Sequence, residues 1–348
     1  MSNGNDRRSR KRHRSQKRYR IRYDRVIAAA LVFIVMIVVL VSCAKSCSKG
    51  KKKNSDNSTA TTGNVAQSSI ENNLRSSGNT DPAISSTGGN GAADIQFNNE
   101  SLEYNSVFRG DLVLVNSSNE YKFIADDINP IAISGNSNSS HYIAKDLVTK
   151  LDSKVLEKLN SLMEGFYNAT SNNDIVIIGG YRTLEEQNDK YNSGNSGFKG
   201  GFSDYHTGRS FDMAIFPKDN SSSGYYSPVG VYSWINEHAA DFGFILRYPE
   251  NKDAQTGERA RSQTYRYVGV PHAQYITQNS LCLEEYIALL KEHNKDKPLE
   301  ISTASEAYRV YYVPANNNAS TEVPVPANKV YTVSGNNVDG FIVTVSMK

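Results

Sequence analysis

Apolar positions change their period several times along this chain, and the changes mark its elements. From Leu151 to Tyr167 they recur at Val155, Leu156, Leu159, Leu162, Met163 and Phe166, the spacing of one buried helix face, with Asp152 or Ser153 placed to cap its start. Leu112-Val113-Leu114-Val115 and Asp174 to Gly179 are apolar runs of strand length. The second leads into Gly180-Tyr181-Arg182-Thr183, where Thr183 and Glu186 have the spacing of a capping box and predict a helix beyond it. Gly201 to Asp212 is polar and then turns apolar at Met213-Ala214-Ile215-Phe216, which predicts a loop feeding a buried strand. A loop rich in Ser, Gly and Tyr follows from Lys218 to Val231. Beyond it the pattern predicts a short helix over Ser233 to Asp241 and strands over Gly243 to Pro249 and Tyr265 to Val270. Pro271 suits a first helical turn, and Ser280 to His293 is amphipathic. Tyr308 to Val313, Val330 to Val333 and Phe341 to Val345 are β-like, with Ser334 to Asn337 as turn material. The fold class expected is α+β: helices packed on a small, mostly antiparallel sheet, with a small β appendage at the C-terminus.

Upstream of these elements the pattern is different. Val26 to Ala44 is almost wholly apolar and about long enough to cross a bilayer as one helix, and Arg7 to Arg25 before it is densely basic. The positive-inside tendency keeps residues 1–25 in the cytoplasm and exports everything after the 26–44 span, although Lys45 to Lys53 weakens the bias. A cleaved signal is the alternative, and Leu40-Val41-Ser42-Cys43 resembles a lipobox that would lipidate Cys43. Either route leaves the body outside the cell and tethered to the membrane. Residues 45–99, rich in Ser, Asn, Gly and Thr, are expected to form a flexible exported linker, followed by a folded domain over 100–298 and a C-terminal β extension over 299–348.

Composition narrows the function. The 348 residues exceed what one domain normally needs, and 21 Tyr with 12 Phe supply a sizeable core. Three Cys allow neither a disulfide framework nor a Cys-based zinc site. The net charge of +3 hides a segregation, because 16 Lys and Arg sit in residues 1–25 and 45–53. The remainder carries 23 basic against 34 acidic side chains. An acidic body argues against nucleic acid as a ligand.

Two stretches carry the candidate chemistry. Ser203 to Asp212 holds His206 and Asp212 on either side of Gly208, and Arg182 stands at a strand end beside a helix start, a common place for a ligand-binding side chain. Together with Gln187, Gly243 to Pro249, Thr256-Gly257, Tyr265 to Gly269 and Leu281 to Tyr286, these stretches resemble the VanY-type D-alanyl-D-alanine carboxypeptidases, LAS-type zinc metallopeptidases of bacterial cell walls. The resemblance covers roughly residues 100–293, with its motifs in order and compatibly spaced. It implies a zinc held by a His and an Asp from a Ser-x-His-x-x-Gly-x-Ala-x-Asp pattern and by a His from a Glu-Pro-Trp-His-x-Arg-Tyr-Val-Gly pattern. It further implies that the Glu of the second pattern is the general base, and that an Arg in the Gly-Tyr-Arg segment holds the substrate carboxylate.

Laid on those patterns without gaps, Ser203, Gly208 and Asp212 match, but Tyr205 and Thr264 stand at the two His positions, Arg261 at the general-base position and Gln263 at the Trp position. A guanidinium accepts no proton, and it repels a dication. The expectation is therefore a catalytically degenerate member with no zinc, in which Arg182, Gln187, Ser203, Tyr205 and Arg261 bind peptidoglycan stem peptide or a cell-envelope protein. An alternative is a working zinc D,D-carboxypeptidase rebuilt on His206, one residue off register, and His272, with Asp204 or Asp241 as base. A second alternative is a structural or assembly module whose cleft is unused.

Overall fold

The computed structural model describes residues 95–218 and 223–348. These belong to one compact unit, Thr87–Lys348. The basic tail, the 26–44 span and most of the 45–99 linker lie outside the described residues. Among the described residues no helix is long and apolar enough to cross a membrane.

The chain forms a mixed α+β fold. Its central sheet runs in the order Ile143–Ala144, Ile175–Gly179, Ser210–Ile215, Arg261–Tyr267, Phe244–Tyr248, with Gly224–Tyr225 also paired to Ser210–Ile215. Only the first pair is parallel. The helix Ser153–Thr170 buries the apolar face expected for it, and Asp152 is its cap, accepting the Lys154 and Val155 amides. That face meets Ile175, Ile177, Phe211, Met213 and Tyr265 from one side of the sheet. The Thr183–Glu186 capping box is present and starts the helix Leu184–Asn192. Gly180 is required between strand and helix, because a Cβ there would stand 2.3 Å from the Lys150 carbonyl oxygen.

The other elements fall close to their expected places: Ser233–His238 with the 3-10 turn Ala239–Phe242, Val270–Gln278 with a proline in its first turn, and Leu283–Leu290. The strand expected over Tyr265 to Val270 starts earlier, at Arg261, and stops at Tyr267, because the left-handed Gly269 turns the chain into the next helix.

Leu112 to Val115 is a correction. It is fully buried yet is no strand. Its backbone is satisfied by side chains and by a turn instead. The carbonyls of Asp111 and Val113 accept from Arg266, that of Val115 from Arg247, and that of Leu114 from Asn337, while the Leu114 amide donates to Asn336. A short apolar run shows only that a segment is buried, and its backbone polar groups can be satisfied without a strand partner.

The C-terminal segment is also more than an appendage. Its sheet runs Leu299–Ser302, Ala307–Pro314, Gly340–Ser346, Tyr331–Gly335. On one face Ile301, Val310 and Ile342 share a core with Ile245, Val268 and Ile287 of the body. On the other, Phe341, Val343 and Val345 pack with Val107, Val323 and Val325. Gly340–Ser346 is thus covered on both faces, as its alternation across a pleated strand requires. Among the strands that went unforeseen, two pair with each other. Phe97–Leu102, overlapping the end of the expected linker, pairs antiparallel with Thr321–Pro326. The first is mostly polar, and Pro324 and Pro326 disguise the second.

A buried ion cluster binds these parts together. Asp204 accepts from Arg266 at 2.5 Å and from the Ser210 hydroxyl, and lies 3.6 Å from Arg247, which forks onto Glu284 at 2.8 and 3.0 Å. Burial alone would raise the Asp204 carboxyl, but Arg266 and Arg247, helped by Ser210, hold it below its usual value. A depressed carboxyl contributes stability that is present above its unfolded value, about 3.9, and is lost as the pH falls through the lower folded value. Asp204→Asn is expected to cost about 3–5 kcal/mol near neutral pH and to flatten the loss of stability below about pH 4, as measured by denaturant titration across pH. An unchanged acid slope would remove Asp204 from this role. Asn337→Asp keeps the side-chain shape but cannot donate to the Leu114 and Glu120 carbonyls. It is expected to destabilise by about 1–3 kcal/mol, read from the denaturation midpoint.

Candidate functional site

The site lies at one end of the central sheet, where strand register brings distant residues level. Asp212 pairs with Gly179 on one side and with Thr264 on the other, and Tyr248 pairs with Arg261. Register breaks fall between Ile177 and Gly179 and between Leu246 and Tyr248, so the pairing is irregular on both sides of the site. Bulges of this kind re-aim side chains.

Asp212 is held by two hydroxyls. The Tyr205 hydroxyl lies 2.8 and 2.7 Å from its two carboxylate oxygens, and the Thr264 hydroxyl donates at 2.7 Å. Tyr205 and Thr264 are both buried. Burial, followed by the neighbouring Asp212 charge, pushes the Tyr205 phenol well above its ordinary value, so it stays a neutral donor. Tyr205 reaches Asp212 from the 3-10 turn Asp204–Thr207, which ends on the left-handed Gly208. The neighbouring Asp204, drawn to Arg266 and Ser210, holds that turn against the sheet.

Arg182 stacks on the Tyr205 ring, its guanidinium carbon 4.0 Å from the centroid, and its Nη1 donates to Gln187 at 2.9 Å. Gln187 is fully buried and also accepts from Ser203 while donating to Ser196 and the Phe198 carbonyl. It therefore serves Arg182 and the 196–203 loop. Arg261 donates to Glu258 at 3.0 Å and lies 4.9 Å from the Phe198 ring and 5.7 Å from that of Tyr248. Phe198, Tyr205 and Tyr248 form one aromatic cluster. Arg182 and Arg261 are half-buried and so remain open to a ligand.

The structure thus gathers Arg182, Gln187, Ser203, Tyr205, Asp212, Thr264 and Arg261 around one cluster. The remaining candidates sit elsewhere. His206 is wholly buried, with Nδ1 donating to the Arg182 carbonyl at 2.7 Å and Nε2 accepting the Gly201 amide at 3.0 Å. His272 lies between the Tyr286 hydroxyl at 2.7 Å and the Thr344 hydroxyl at 3.0 Å, at the junction with the C-terminal sheet. Burial lowers its pKa to about 4. Asp204 belongs to the ion cluster, and Asp241 is exposed, meeting His238 and Gln274.

Sequence reasoning missed Arg247, Arg266 and Glu284 as supports, and Phe198 and Tyr248 as walls. The signal was present for the first two. Each cation sits inside an otherwise apolar strand, where a charge must find a partner.

The residues present do not fit zinc. Structural and catalytic zinc sites use thiolate, imidazole and carboxylate donors, and this set offers one carboxylate, a neutral phenol and an alcohol. Among the described residues no group of three His, Cys, Asp or Glu could hold a metal ion.

Comparison with known proteins places this geometry. A family model described as VanY, D-alanyl-D-alanine carboxypeptidase, matches residues 148–270. A D-alanyl-D-alanine carboxypeptidase of Enterococcus faecium is 32% identical over 250 residues, covering 69% of this chain and 76% of that protein. Among solved structures, the vancomycin resistance D,D-dipeptidase VanXYg in complex with a D-Ala-D-Ala phosphinate analog is 27% identical, with a TM-score of 0.63 over 72% of this chain and 99% of that one. A mutant of the vancomycin resistance D,D-pentapeptidase VanY in complex with Zn(II) is 26% identical, with a TM-score of 0.39 over 51% of this chain and 98% of that one. With a third of its residues shared across three quarters of an enterococcal carboxypeptidase, and its fold matched along the whole of VanXYg, this chain belongs to the VanY D-alanyl-D-alanine carboxypeptidase family.

Proposed function

We propose that this protein is a membrane-tethered, extracytoplasmic member of its family that binds peptidoglycan stem peptide ending in D-Ala-D-Ala and does not hydrolyse it by zinc chemistry. One observation carries the reading: the Tyr205 and Thr264 hydroxyls both donate to Asp212, so the carboxylate is engaged by hydrogen bonds where the family uses it on a metal. The group at the general-base position supports it. Arg261 is a permanent cation paired with Glu258, and it has no lone pair with which to take a proton from water.

What remains suits a peptide carboxylate. Arg182 stands half-buried over an aromatic face with its fork steadied by Gln187, and Arg261 lies across the same aromatic cluster. Guanidinium groups recognise carboxylates bidentately, and partial desolvation strengthens the pairing. Binding of a D-Ala-D-Ala analog by VanXYg, whose fold this chain shares, motivates the choice of ligand. A working zinc enzyme on His206 and His272 would require each ring to free a nitrogen that is hydrogen-bonded in the core. The tether rests on the apolar 26–44 span and the basic residues before it.

Zinc-loaded and dialysed protein is expected to retain far less than one zinc per chain, and to release no D-Ala from a stem pentapeptide. Stoichiometric zinc with D-Ala release would end the proposal. The same protein is expected to bind the pentapeptide, and Arg182→Ala to weaken that binding by about tenfold or more, measured by calorimetry. Tyr205→His, Thr264→His and Arg261→Glu together are expected to create zinc affinity beside Asp212. A folded triple variant that takes no zinc would mean that these positions are not the family's ligand positions.

A further inference from the structure

His206 stands one residue from a family ligand position, yet both of its ring nitrogens are committed to main-chain groups. A carbonyl oxygen only accepts, so the 2.7 Å contact to Arg182 fixes the proton on Nδ1. An amide N–H only donates, so Nε2 is the acceptor for Gly201. The ring therefore joins two segments that are far apart in the chain. One ends in Arg182, and the other is the 196–203 loop that carries Phe198 and Ser203. Phe123 and Tyr121 enclose it, with ring centroids 4.7 and 6.2 Å away. Phe123 adopts a left-handed φ of 50°, a conformation unusual for an aromatic residue, while its ring lies against this imidazole.

We propose that His206 is a positioning residue for peptide recognition: through the bond from its Nδ1–H to the Arg182 carbonyl, it sets where the Arg182 guanidinium stands over Tyr205. The inference rests on the peptide-binding reading above. Arg182 is then located at two points. Gln187 holds the tip of its side chain and His206 holds its main chain, while the Tyr205 ring supports the guanidinium from below. Gln187 also bonds Ser196 and the Phe198 carbonyl, so both restraints tie Arg182 to the same loop. A charged group held in this way meets a carboxylate without losing side-chain freedom at the moment of binding. The role asks for a buried donor aimed at that carbonyl, and a neutral imidazole whose Nε2 accepts the Gly201 amide keeps its proton on Nδ1.

Two near-isosteres separate this role from simple packing. In His206→Asn the amide nitrogen falls near the Nδ1 position and can still donate to the Arg182 carbonyl. In His206→Gln the amide oxygen falls near the Nε2 position and can still accept from Gly201. In calorimetric titrations of the full chain with a stem pentapeptide ending in D-Ala-D-Ala, the Asn variant is expected to keep wild-type affinity within about twofold. The Gln variant is expected to lose about tenfold, the effect of one misplaced charge-assisted contact. Equal losses in both variants, or retained affinity in the Gln variant, would overturn the proposal. A second measurement needs no ligand. In nitrogen-15 NMR spectra of the free protein, the Arg182 Nε–H signal is expected to hold its position in the Asn variant and to shift in the Gln variant. If wild-type protein binds no pentapeptide, the peptide-binding reading fails, and this spectrum alone decides the bracket. Should the Gln variant not fold, Phe123→Ala removes the enclosing ring and leaves both bonds. It is expected to keep affinity within about twofold, and a tenfold loss would assign the effect to packing.

Discussion

The interaction on which the rest of this structure depends is the buried Asp204 carboxylate between the guanidinium groups of Arg266 and Arg247. Charges this far from water are tolerated when each finds a partner and most of its remaining donors are satisfied; here the Arg247 Nε–H has no hydrogen bond and faces Asp204 at 3.6 Å. The partners here come from every layer. Arg266 and Arg247 lie on adjacent strands, Glu284 sits in the first turn of a helix, and the leftover donors reach the carbonyls of Asp111, Val113 and Val115. A short apolar segment can therefore be buried without joining a strand. The turn that carries Asp204 also carries Tyr205, so the cluster supporting the fold also aims the ring that meets Asp212.

The C-terminal sheet enters the same network. The turn Gly335 to Asn337 bonds the backbone of Val107, Arg109 and Leu114, whose segment continues into the carbonyls that cap the two arginines. Continuity of packing through Ile301, Val310 and Ile342 makes the C-terminal strands part of the body's core. This explains why strands far from Asp212 belong to the unit that carries it, and it accords with a family likeness that extends well beyond residues 148–270.

Around Asp212 the sheet register brings two hydroxyls to one carboxylate. Tyr205 and Thr264 both donate to it, from a 3-10 turn and from the neighbouring strand. Tyr205 does two things at once, since its hydroxyl satisfies Asp212 and its ring carries Arg182. His206 and Gln187, both buried, hold the main chain and the side chain of that arginine. Polar groups tied to one another in this way form a rigid network.

Much of this was legible in the chain itself. The helix Ser153–Thr170, its Asp152 cap, the Thr183–Glu186 box and strands just after Asp212 and Thr264 follow from periodicity and capping chemistry, which are local properties; both strands in fact begin earlier and include those residues. The motif register also singled out Tyr205, Thr264 and Arg261; the first two meet at Asp212, and Arg261 lies over the Phe198 ring beside them. Other features depended on which surfaces came to face one another. Leu112 to Val115 has the composition of a strand and became a side-chain-capped extended run, and the polar Phe97–Leu102 found a partner rich in proline. His206 could be read as a potential metal ligand until its two nitrogens were seen bonded to the main chain. Local sequence determines element type and residue identity, because propensity and caps act over a few residues. Partner choice belongs to the tertiary structure, because a buried polar atom bonds whatever the fold brings within about 3 Å.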